Sequence, residues 1–221
     1  MRFLIREQEF ETPLAAGRFQ YDQNGKPTGA YESWRLTEIG DGYCFLRVDM
    51  DARETGREES ILYHLLLGPQ GQPERLKIRL LAMSRQWQGD VSFEGRSVMV
   101  SGEADGRRFE DELQLKGQYG IWFPAAFGLA VLLHNSLNQQ TLTAVSINQD
   151  HSSLLSQESV NILSQQEEVI LLGRQEIVVR PYLIRWAKQE KQLWLDQYRW
   201  PVKIDFGNGL MAKETQYIRY Q

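Results

Sequence analysis

Apolar and polar residues alternate with a period of two along most of the chain. In "RLKIRLLAM", residues 75–83, Leu76, Ile78 and Leu80 fall on one face and Arg75, Lys77 and Arg79 on the other. That is the pattern of a strand with one buried side. "DVSFEGRSVMVSGEADGRRFEDELQL", residues 90–115, reads as three short strands joined by two tight turns. Near the end, Val202, Ile204 and Phe206 share a face opposite Lys203 and Asp205. Asn24-Gly25, Asp41-Gly42, Glu94-Gly95, Asp105-Gly106 and Asn208-Gly209 punctuate these runs. Such doublets supply the positive φ that tight hairpins demand. "ILYHLLLG" departs from the rule: Ile61, Tyr63, Leu65 and Leu67 lie on one face, Leu62 and Leu66 on the other. A strand apolar on both faces is covered on both.

The period changes at "GIWFPAAFGLAVLLHNS", residues 120–136, which runs from Ile121 to Leu133 without a charge. Pro124 suits a first helical turn and Asn135 a left-handed cap, so a helix is expected over 124–135. It has no polar face and must be buried on most of its circumference. A run of about 13 apolar residues is too short for a membrane span, which needs about 20. Strands are expected to resume at "TLTAVSI" and "EEVILLG". Pro181 in "QEIVVRPYLIRWA" suits an edge or a bulge. Residues 148–166, rich in Gln and Ser, read as a short helix or a long loop.

These runs amount to roughly a dozen strands, more than an open sheet carries without curling or closing. The expected fold is all-β with one or two short helices, in one domain spanning 1–221. Its core is a large curved antiparallel sheet or incomplete barrel, with the apolar helix plugging the concave face.

The composition leaves that picture intact and narrows the partners. The 221 residues are 42% hydrophobic and 24% charged, with a net charge of −4, a globular balance. Lys and Arg are scattered, so nucleic acid is not an expected partner. The single cysteine, Cys44, alternates with Leu46 and Val48 and reads as a buried structural thiol. The N-terminal "MRFLIREQEFETP" has too short an apolar run for a signal peptide, so a cytoplasmic location is expected.

Candidate chemistry is sparse. His64 shares a face with Leu62 and Leu66; it reads as a polar handle in a cavity or, more simply, as a hydrogen-bonded interior histidine. The three histidines lack metal-ligand spacing, and no cofactor or metal is expected. Asp49 and Asp51 lie two apart on one strand face beside Arg47, a pair suited to acid–base work or to a divalent cation. Solvated charges balanced by arginine account for them without either. Trp186, Trp194 and Trp200 crowd the last third, serving a core or a ligand pocket.

The closing segment "LWLDQYRWPVKIDFGNGLMAKETQYIRY", residues 193–220, resembles the late strands of LolA/LolB-like half-barrels. That group includes lipoprotein carriers, glycolipid-binding relatives and families of unknown function. The resemblance implies a curved antiparallel sheet whose apolar cavity is plugged by helices. The expected function is therefore non-catalytic binding of a lipid, glycolipid or other apolar small molecule in the concave face. His64, Trp122, Phe123, Phe127, Val131, Leu132, Trp186 and Trp194 are the expected cavity or lid residues. A structural or protein-interaction domain with a filled interior is the alternative, and an enzyme using the Asp49/Asp51 face is a second.

Overall fold

The computed structural model describes residues 7–56, 58–83, 85–134, 141–147, 154–186 and 189–220. The period-two runs become an antiparallel meander of eight strands. These are β1 (Thr12–Gln23), β2 (Lys26–Glu38), β3 (Cys44–Ala52), β4 (Glu59–Leu67), β5 (Pro73–Leu81), β6 (Gln86–Glu94), β7 (Ser97–Ala104) and β8 (Arg107–Gln114). The chain then makes β9 (Tyr119–Trp122), the helix α1 (Ala126–His134) and β10 (Thr141–Ile147). It closes with β11 (Leu155–Ser164), β12 (Glu168–Leu172), β13 (Gln175–Trp186), β14 (Gln189–Asp196), β15 (Pro201–Gly207) and β16 (Leu210–Arg219). Among the described residues sixteen strands form one sheet, more than the dozen expected.

The two halves of the chain join where β1 pairs with β16, so the sheet order runs from β8 back to β1 and then from β16 down to β9, with β12 off this path, paired to β13. The link from β8 to β9 is only residues 115–118, although the two strands end opposite edges of the sheet. Four residues and their flanking bonds span at most about 17 Å. The sheet must therefore curl until its edges approach. The Leu155 amide of β11 donates to Asp111 Oδ2 of β8 at 3.3 Å across this gap. No strand ladder joins β8 to β9, and the sheet stays open there.

β9 and β10 pair in parallel, Tyr119–Trp122 against Thr143–Ser146. A parallel pair needs a crossover, and α1 is its helix, laid on the inner face of the curl. Every residue from Ala126 to Leu133 is buried. The inner face supplies Phe19, Leu46, Val48, Tyr63, Leu65, Leu76 and Ile78, each at most 0% exposed, to one continuous core. Leu62, on the other face of β4, is also buried, as the two-faced pattern required. No helix among the described residues is long and apolar enough to cross a membrane.

Four expectations change. The helix starts two residues after Pro124, and Asn135 lies outside the described residues. The Glu94-Gly95 doublet is displaced by one: Glu94 pairs with Ser97, so Gly95 (φ 60°) and Arg96 are the turn residues. Leu155–Ser164 is a strand between β10 and β13, because both neighbours offer ladders to a segment with no strong preference of its own; 148–153 lie outside the described residues. Pro181 sits inside a central strand. It is tolerated because β11 stops pairing at Tyr182 and β12 starts at Val179, so its ring nitrogen meets a gap between two partners. Its carbonyl, on that same side, accepts from the Gln165 amide at 2.9 Å.

Candidate functional site

The plug is held by a carboxylate buried in the sheet. Glu32 of β2 has no exposed surface. Its Oε2 accepts from the Ala126 amide at 2.6 Å and from the Tyr21 hydroxyl at 2.5 Å, and Oε1 accepts from the Phe127 amide at 2.8 Å. The first free amides of α1 are thereby satisfied by a distant side chain, and the helix dipole favours the negative charge there. Burial pushes the Glu32 carboxyl up while those hydrogen bonds pull it down, and the net shift is upward.

Aromatic rings fill the space beneath. Phe123 stacks on Tyr63 at 4.5 Å between centroids. Phe127 lies 4.6 Å from Trp34 and 6.1 Å from Trp200. Beside the helix, the hollow bounded by Phe127, Val131 and Trp200 measures about 10 Å³, and the one bounded by Trp122, Leu132 and Val160 about 0 Å³. An acyl chain does not fit either space without displacing α1.

Four of the expected cavity residues, Phe123, Phe127, Val131 and Leu132, therefore meet in the plug as packing. Trp122 is half-buried at its margin, with the Lys191 ammonium 5.1 Å from its ring. Trp194 faces away, in a separate apolar cluster with Ile177, Val179 and Val202, and its indole donates to Glu168 Oε1 at 2.6 Å. The side chain of Trp186 lies outside the described part of the structure.

His64 also faces away from the plug, between Arg47 and Lys77 in the ladder. Burial, together with Arg47, Arg79 and Lys77, lowers its pKa to about 4, so it is neutral at pH 7. The reading of solvated charges balanced by arginine fits Asp51, which is half-buried beside Arg53, but is corrected for Arg47 and Asp49. Arg47 and Asp49 are buried. Residues 7–11 lie over that face, where Glu11 forms a bidentate pair with Arg47 at 2.5 and 2.7 Å and accepts from Thr37 at 2.6 Å. Burial raises the Glu11 carboxyl, but the bonds from Arg47, Thr37 and the Gln8 amide outweigh it and the net shift is downward. Asp51 is held by Arg53 at 2.7 and 2.8 Å. Cys44 is half-buried rather than buried; burial, with help from Glu38, raises its thiol pKa.

The open space lies at one mouth of the curl. The β4–β5 turn, the β6–β7 turn and the β8–β9 link share this end, because consecutive hairpins of a meander alternate between ends. Between them is a cleft of about 710 Å³, within the usual range for small-molecule sites. Phe93, Leu142 and the Tyr119 ring form its apolar part. Gln70, Gln72, Glu74, Arg96 and Gln118 supply the polar part. The Gln70 amide donates to Gln72 Oε1 at 3.0 Å, and Gln72 Nε2 donates to Glu74 Oε1 at 3.0 Å. This chain fixes the carboxamide and leaves Glu74 a second oxygen. Burial, then Glu74, raises the Tyr119 phenol, which stays a hydroxyl donor at neutral pH. Sequence reasoning passed over these residues because each sits in an ordinary turn or at the end of a strand; only the tertiary arrangement brings them together.

A second open cleft, about 700 Å³, lies over β5–β8 between Arg75, Asp90, Glu110 and Glu112. Arg75 is already paired with Asp90 at 2.6 and 2.5 Å, and no aromatic ring lines it. Among the described residues no group of three or more His, Cys, Asp or Glu is arranged to hold a metal ion.

No family model matches the chain, and no curated protein matches it. Among solved structures, a DUF1089 family protein from Pseudomonas aeruginosa is similar over 95% of this chain and 98% of its own, with 11% sequence identity and a TM-score of 0.50. At that identity the likeness shows a shared fold alone.

Proposed function

We propose that the protein is a non-catalytic binding module that recognises a hydrogen-bonding small molecule, such as the headgroup of a glycolipid, at the mouth cleft. The observation that carries this reading is the contrast in volume: about 10 Å³ beside the plug and about 710 Å³ at the mouth. The cleft offers paired amides and a carboxylate as donors and acceptors, with aromatic surface beside them. A polyhydroxylated, uncharged group matches that lining, because Glu74 and Arg96 balance in sign. The half-barrel likeness of the closing segment supports the same class of function. In this reading the apolar part of any lipid stays outside the interior, where the spaces beside α1 measure about 0 and 10 Å³.

Titration of the purified protein with octyl glucoside and, separately, decanoate tests the proposal by ligand-observed NMR. The glucoside should bind and the fatty acid should not. Gln72→Ala and Tyr119→Ala should each weaken glucoside binding about tenfold, the equivalent of one net hydrogen bond. Decanoate binding that survives Tyr119→Ala but is lost in Leu132→Asp would return the site to the concave interior. Binding of neither probe would favour an interaction domain, the reading that the filled interior also fits.

A further inference from the structure

The strand β12 is an edge of an unusual kind. Among the described residues it pairs with β13 on one side only. Val169 and Leu171 are 60% and 66% exposed, and Val178, opposite Val169 on β13, is 53% exposed. Natural sheets blunt free edges with charge, proline or cover. The edge strand β8, "RRFEDELQ", follows that rule. Residues 169–172 of β12 carry neither a charge nor a proline.

The hairpin dictates which backbone groups point outward. Leu172 pairs with Gln175 across the two-residue turn Gly173-Arg174, with Gly173 at φ 60°. In such a turn the closing pair is hydrogen-bonded, so Leu172, Ile170 and Glu168 bond to β13. The amides and carbonyls of Val169 and Leu171 then face away from it. A strand with two outward residues spaced by one is complementary to itself. Placed antiparallel about a two-fold axis at Ile170, Val169 meets Leu171 of the second copy and exchanges both hydrogen bonds with it. The same register puts Glu168 diagonal to Arg174 of the second copy on one face, and Glu167 opposite Gly173. The acidic start of each strand thus lies against the basic end of the other.

We infer that β12 is a self-association edge, through which two copies of this chain join their sheets into one by an isologous contact. Val169, Leu171 and Val178 of both copies form a continuous apolar stripe across the seam. Five-residue strands bury too little surface for a permanent dimer, so the contact is weak and concentration-dependent.

Sedimentation velocity over a concentration series tests this. The wild-type sedimentation coefficient should rise with concentration towards that of a dimer. Leu171→Pro removes only an outward amide, and Val169→Lys adds a charge at an exposed position; both should fold with wild-type melting temperatures and remain monomeric throughout. Arg174→Glu should weaken association. A wild type that stays monomeric at its highest soluble concentration overturns the inference, as does association that survives both folded edge variants.

Discussion

Glu214 shows how one side chain can set a pH response. The residue is 3% exposed; Arg219 donates to its carboxylate at 3.3 Å, and the Trp34 indole lies beside its other oxygen. Asp196 shares the same guanidinium at 2.9 Å and accepts in addition from the Tyr217 hydroxyl and the amides of Tyr198 and Trp200. One cation faces two buried acids, and Asp196 has the more hydrogen-bond donors around it. Burial raises the Glu214 pKa to about 8; Arg219 opposes the rise and Asp196 adds to it. The folded state therefore holds a proton that the unfolded chain releases near 4.5, and this contribution is lost as pH rises towards 8. His64 acts in the other direction, because its folded pKa of about 4 lies below the ordinary 6.5. Its contribution falls as pH drops through that window. The two oppose each other below pH 6.5, and Glu214 stands alone above it. Stability from this pair should fall by about 1 kcal/mol between pH 6.5 and 8, because the limiting slope of about 1.4 kcal/mol per unit flattens as each group nears its own pKa. Urea melts of the wild type and Glu214→Gln check this: the slope should flatten in the variant, and an equal slope in both would remove Glu214 as the cause.

Among the elements, α1 depends on contacts made far from it in sequence. Its own residues favour burial, while its start is set by Glu32, 94 positions earlier. Glu32→Ala leaves two buried amides and the Tyr21 hydroxyl without their acceptor. Bonds to a charged group contribute about 1.5–3 kcal/mol each, so a loss of about 3 kcal/mol or more is expected in chemical denaturation. Phe127→Ala should cost about 3–5 kcal/mol through the void it leaves between Trp34 and Trp200. The cost of Glu32→Ala should be far smaller in a chain where α1 is already loosened, and a double-mutant cycle with Phe127→Ala measures that coupling. Strict additivity would mean that the cap and the plug are separate features.

For the whole molecule, the central seam is the pairing of the first strand with the last, β1 with β16. Deleting 210–220 should remove the partner of both β1 and β15 and abolish the cooperative thermal transition in near-ultraviolet circular dichroism. A truncated chain that still melts sharply would show that either half folds alone. Period-two runs and Asn-Gly or Asp-Gly turns were enough to read the meander, the closing hairpins and the buried plug, because side-chain alternation and positive φ are local requirements. The 155–164 strand was illegible, since its pairing comes from β10 and β13 rather than from its own residues. Pro181 was misjudged for the same reason: only the arrangement of β11 and β12 opens a gap at its nitrogen. Arg47 and Asp49 read as solvated because nothing in their strand reveals that Glu11 lies above them. The mouth cleft joins residues from three separate connections and the strand ends beside them, and the filled interior depends on how rings from β2, β4 and the 196–200 turn meet the helix. Alternation and turn chemistry, carried by neighbouring residues, therefore determined the strands and the helix from sequence alone. Burial, charge pairing and open volume depend on residues distant in the chain, and only the tertiary structure decided them.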